Sequence, residues 1–123
     1  MDSRGRVLIV DDDPTILHFY GHQLTKAGFE VAEASSGLDA LRQIEKSQFE
    51  VLISDLKMPG MDGLTAARRI RAMNGGRSVA LVALSGWGQP QDREAAMAAG
   101  FDHHVTKPAD GQRLFSLLHE LVK

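Results

Sequence analysis

The 123-residue sequence predicts a single α/β domain built on a doubly wound parallel sheet. Short apolar runs alternate with helical patterns five times. The first, third and fourth runs are nearly continuous in Val, Ile, Leu and Ala, as strands covered on both faces are. Helix start and stop signals fall between the runs, which gives a (βα)5 order. Crossovers between parallel strands are almost always right-handed, so helices cover both faces of the sheet.

The strand candidates are Arg6–Val10, Glu30–Ala34, Val51–Ser54, Val79–Leu84 and Phe101–Thr106. The second and fifth carry polar residues and read as flanking strands. Asp13 followed by Pro14 gives an N-cap and a proline at the first helical position, and Gly28 supplies the stop. Ser36 with Asp39 three residues on resembles a capping box. Asp62 caps a helix running to about Met73, which Gly75-Gly76 ends. Pro90 opens a helix that Gly100 closes. Asp110 caps the last helix, with Leu114, Leu117, Leu118 and Leu121 on one face.

Bulk properties narrow the function. The length fits one domain, expected to span residues 1–123 with no output domain after the fifth helix. The absence of cysteine excludes disulfides and thiolate metal sites and fits a reducing compartment. Fourteen Lys and Arg against 16 Asp and Glu leave a net charge of −2, unlike a nucleic-acid binder. No apolar run approaches the ~20 residues that span a bilayer, and the first residues lack a secretory pattern. A cytoplasmic location follows as an expectation.

In an open doubly wound sheet, ligands sit beyond the carboxyl ends of the strands, where the strand order reverses. Asp11, Asp12 and Asp13 follow the first strand, Asp55 the third, Ser85 the fourth and Lys107 the fifth. Asp13, before Pro14, reads as a helix cap. Asp11, Asp12 and Asp55 would crowd negative charge that cannot stay ionised without compensation. A hard divalent cation with oxygen ligands compensates it, and Mg2+ suits a site that shares a few carboxylates with a phosphate. Phosphoryl transfer needs charge stabilisation from a metal, an ammonium and a hydroxyl or amide donor. Mg2+, Lys107 and Ser85 would provide them.

These residues resemble a known family. Val7-Leu8-Ile9-Val10-Asp11-Asp12-Asp13-Pro14 resembles the opening of the receiver domains of two-component response regulators. Asp55-Leu56-Lys57-Met58-Pro59-Gly60-Met61-Asp62-Gly63 is similar to their phosphoacceptor motif, and Ser85-Gly86 and Thr106-Lys107-Pro108 to their last two signatures. The intervals, 43 residues from Asp12 to Asp55, 30 on to Ser85 and 22 on to Lys107, agree with it. The resemblance covers about Arg6 to Val122.

The resemblance implies a flavodoxin-like sheet of order 2-1-3-4-5 and a role in a phosphorelay. Asp55 would be the phosphoacceptor. Asp12, Asp55 and the backbone carbonyl of Lys57 would bind Mg2+, with Asp11 acting through a water. Ser85 and Lys107 would hold the phosphoryl group, and the Lys107–Pro108 bond would be cis. The donor would be a histidine kinase or a histidine phosphotransfer domain. Phosphorylation would switch the surface of the fourth helix, fifth strand and fifth helix. Such a domain is a phosphoacceptor rather than an enzyme, apart from its own phosphorylation and dephosphorylation, and a monomer is expected. His104 stands where the family usually carries a switch aromatic. Trp87 and Lys57 are candidates for shielding a phosphorylated Asp55. The stretch from Gly86 through His104 is most similar to receivers fused to sensor histidine kinases.

Two other classes compete. Asp11 and Asp13 form an Asp-x-Asp such as aspartate-nucleophile phosphatases of haloacid-dehalogenase type carry after their first strand, although Ser85 stands where those enzymes place further acids. A pseudo-receiver that only binds a partner is the other, opposed by the complete set of acids, hydroxyl and lysine.

Overall fold

The computed structural model describes residues 5–56, 60–73, 79–85, 90–106 and 111–121. Ten elements alternate along them: β1 (Arg6–Val10), α1 (Pro14–Lys26), β2 (Glu30–Ala34), α2 (Gly37–Lys46), β3 (Val51–Asp55), α3 (Gly63–Ala72), β4 (Ala80–Ser85), α4 (Pro90–Ala99), β5 (His103–Thr106) and α5 (Gly111–Leu121). The five strands form one parallel sheet of order β2-β1-β3-β4-β5.

The apolar runs explain that order. Val7, Leu8, Ile9 and Val10 of β1 and Val51, Leu52 and Ile53 of β3 are all buried, so these strands lie inside the sheet. β2, with exposed Glu30 and Glu33, lies at one edge. Side chains alternate across the sheet. Val7, Ile9, Val51, Ile53, Val82 and Leu84 pack against Leu17, Tyr20 and Leu24 of α1 and Leu114 and Leu118 of α5. Leu8, Val10, Leu52, Leu81 and Ala83 pack on the other face with residues of α2, α3 and α4, among them Leu41, Ile70 and Ala96. Leu117 and Leu121 of α5 join the first of these layers as partly buried neighbours, as their spacing predicts.

The caps work as their chemistry dictates. Asp13 Oδ1 accepts from Thr15 N at 2.9 Å, Ser36 Oγ from Asp39 N at 3.1 Å and Asp62 Oδ1 from Thr65 N at 2.8 Å. The expected caps at Asp110 and the stop at Gly75-Gly76 lie outside the described residues.

Three strand limits differ from expectation. β3 runs one residue further, to Asp55, and β4 is shifted by one to end at Ser85. β5 begins at His103 rather than Phe101. Gly100 takes a φ of +111°, and Phe101 N returns to Ala96 O at 3.1 Å. Phe101 therefore belongs to the end of α4, and its ring is buried as the hydrophobic contact that closes such a terminus.

Candidate phosphoacceptor site

β1 and β3 are neighbours, and the chain proceeds to opposite sides of the sheet from them. The crevice between their carboxyl ends is where this topology places a ligand. Asp11 and Asp12 follow the last residue of β1, and Asp55 is the last residue of β3. Carboxylate oxygens from these three side chains all lie within 4.8 Å of one another. Asp11 is 1% exposed and Asp55 8%, whereas Asp12 faces solvent.

Each acid is positioned by its backbone. Asp11 N donates to Ala34 O of β2 at 3.1 Å, and Asp11 Oδ1 accepts from Asp13 N at 3.0 Å. That second bond turns the chain toward α1 and leaves Asp13 to cap the helix. Asp55 pairs with Leu84 of β4, and the next residue, Leu56, donates its N–H to Leu84 O at 3.2 Å. Ser54 Oγ donates to Asp55 O at 2.9 Å inside the sheet. From below, Gly63 opens α3 against the same segment, with Gly63 N donating to Leu56 O at 3.0 Å. A Cβ on Gly63 would collide with Asp55 O, so only glycine lets the helix start this close to the strand.

Among the described residues this is the cluster of three or more His, Asp or Glu side chains whose donor atoms converge. Three hard oxygen donors in one crevice fit a divalent cation of the Mg2+ type. Ser85 closes β4, the strand beside β3, in register with Thr106 of β5, so its backbone stands at the same carboxyl edge. Its side chain, together with Lys57, Trp87, Lys107 and Pro108, lies outside the described residues. His104 sits in β5 opposite Ala83 and is half-buried. His103 and His104 are consecutive on that strand and point to opposite faces, so they do not form a metal pair.

A five-stranded parallel sheet of order 2-1-3-4-5 with an acidic cluster at its switch point defines the class of receiver folds. Comparison with known proteins agrees. The family model described as the response regulator receiver domain matches residues 7–119. The chain therefore belongs to the receiver domain family of response regulators. It is similar to the structure of the chemotaxis response regulator CheY4 of Vibrio cholerae, with 30% identity and a TM-score of 0.88 over 94% of this chain and 97% of that one. It is also similar to the receiver domain of the sensor histidine kinase PA1611 from Pseudomonas aeruginosa, at 29% identity and a TM-score of 0.90, covering 96% of this chain and 97% of that one. That structure holds a magnesium ion coordinated in its active-site cleft. The transcriptional regulatory protein GlrR of Escherichia coli is 33% identical over 119 residues, which are 97% of this chain but 26% of GlrR. No helix among the described residues is long and apolar enough to cross a membrane.

Proposed function

We propose that this receiver domain accepts a phosphoryl group on a carboxylate oxygen of Asp55. The donor is a phosphohistidine carried by a histidine kinase or a histidine phosphotransfer domain. The observation that carries the reading is the convergence of Asp11, Asp12 and Asp55 within 4.8 Å at the sheet's switch point. Asp55 is assigned as the acceptor because it stands at the phosphoacceptor position of the family motif, while Asp11 Oδ1 closes the turn through Asp13 N.

The carboxylates of Asp12 and Asp55 and the backbone carbonyl of Lys57 would hold Mg2+, with Asp11 acting through a water. When bound, the ion neutralises the acidic crevice and stabilises charge on the phosphoryl oxygens. In the transfer, the Asp55 oxygen forms a bond to phosphorus as the phosphorus–nitrogen bond breaks. The leaving imidazole keeps the electron pair and takes its proton from solvent. Ser85 donates a hydrogen bond to a phosphoryl oxygen, and Lys107 pairs with the transferred charge. Hydrolysis returns the Asp55 carboxylate and inorganic phosphate. The protein is thus a phosphoacceptor that assists its own reactions rather than an enzyme acting on a separate substrate. The α4–β5–α5 face, including His104, transmits the change, and Trp87 and Lys57 shield the acyl phosphate. We place the domain in the cytoplasm, as a monomer.

The phosphatase alternative needs Asp11 as nucleophile and Asp13 as acid. Asp13 instead caps α1, and Asp11 Oδ1 holds the turn, which favours the receiver reading. The experiment is phosphorylation by a small acyl phosphate with Mg2+, read by intact mass. Wild type should gain one phosphoryl group and Asp55→Asn none, while Asp11→Asn should still be labelled. Labelling of Asp55→Asn equal to wild type would overturn the assignment.

A further inference from the structure

Three further side chains of metal-ligating type, His18, His22 and Glu33, line a pocket between α1 and β2, apart from the acidic cluster. His18 and His22 lie four residues apart on α1, which puts both on one side of the helix with Cβ atoms about 5–6 Å apart. Glu33 shares a face of β2 with Val31, and Val31 packs into the layer beneath α1. Glu33 is therefore turned toward the same helix. The three residues line an open pocket of about 300 Å³, with Gly21, Thr25 and Val31 completing its wall.

Gly21 accounts for the approach of the carboxylate. A Cβ at this position would stand 2.9 Å from Glu33 Oε2. The missing side chain leaves a notch in the helix, and Glu33 reaches into it beside His22. His18, His22 and Glu33 are all exposed, and their donor atoms surround the pocket more widely than those of the acidic cluster. Binding one ion there requires these solvent-facing side chains to rotate toward one another.

We propose that His18, His22 and Glu33 form a second divalent-cation site, one that takes a borderline ion of the Zn2+ type. Two imidazoles and a carboxylate are a donor set that suits Zn2+ and leaves a position for water. Mg2+ prefers oxygen donors, so the two sites differ in the ion they select. An ion here bridges α1 to the edge strand β2. The site shares no residue with the acidic cluster, so it stands or falls independently of the phosphoacceptor reading.

The test is titration of Zn2+ into the protein with excess Mg2+ present, followed by calorimetry and by the imidazole resonances of the five histidines. One Zn2+ should bind per chain, moving the signals of His18 and His22 and leaving those of His103, His104 and His119 in place. His18→Ala, His22→Ala and Glu33→Gln should each weaken binding by about tenfold or more, since even removal of an outer-shell partner costs that much. Asp12→Ala should bind Zn2+ as wild type does. Substitutions at these exposed positions should leave the fold intact, which circular dichroism would check. Zn2+ binding that survives both histidine variants, that is lost in Asp12→Ala, or that is absent from wild type would overturn the proposal. Unchanged affinity in Glu33→Gln would overturn the three-ligand site.

Discussion

Asp12 is the most informative of the three acids because it is exposed while its partners are buried. Its charge is held near those of Asp11 and Asp55 by the geometry of β1 and contributes nothing to the core. Asp12→Ala should therefore raise the unfolding free energy in Mg2+-free buffer by about 1 kcal/mol, the value for two charges some 4 Å apart in water. The same change should abolish Mg2+ stabilisation. A variant that is less stable than wild type and still gains from Mg2+ would contradict the role given to Asp12. Mg2+ binding also requires ionised ligands, so wild-type affinity should fall as the solution is acidified. Titration of Mg2+ at a series of pH values measures it, and constant affinity would contradict carboxylate ligation. These acids were legible in the sequence because they stand at the ends of apolar runs of strand length that alternate with helix signals. Their separation was not, because it depends on the register that pairs Val10 with Ser54 and on a turn closed by Asp13 N.

Helix ends were the other readable features, since Asp13, Ser36 and Asp62 carry oxygen acceptors where N–H groups need them. The clamp at the far edge of the sheet could not be read. Arg71, near the end of α3, donates from Nε to Gly100 O at 2.9 Å and from NH1 to Val79 O at 2.6 Å. Its NH2 meets Asp102 Oδ2 at 2.6 Å, and that oxygen also accepts Leu81 N at 2.9 Å. One side chain thus fastens α3 to the start of β4 and to the turn between α4 and β5. Arg71 is one of three arginines near the end of α3, with Arg68 and Arg69, and nothing in the sequence singles it out for partners 8 to 31 residues away. Arg71→Ala should destabilise the fold by about 1.5–3 kcal/mol, the cost of losing hydrogen bonds to a charged group. Arg71→Lys should recover little, because the planar fork reaches three acceptors and an ammonium does not. Denaturant unfolding measures both. Mg2+ affinity should stay as in wild type, since the clamp lies at the opposite edge from the acids. A variant with normal stability and weakened Mg2+ binding would contradict this division.

Across the molecule, alternation of apolar runs with helix signals was enough to give the parallel sheet, because each interior strand must be buried on both faces. The boundaries moved where tertiary packing decided them: Phe101 reads as strand by composition and serves instead as the apolar stop of α4. Close approaches such as that of Gly63 to Asp55 O were invisible, since a glycine next to an aspartate reads equally as an ordinary turn. Sheet and cluster together support the proposal that phosphorylation occurs at the end of β3, on Asp55. Reduction of the phosphorylated protein with borohydride converts an acyl phosphate to the alcohol, and peptide mass spectrometry then places it. Homoserine is expected at position 55 alone, formed only when Mg2+ was present during phosphorylation. Homoserine at position 11 or 12 with Asp55 untouched would contradict it.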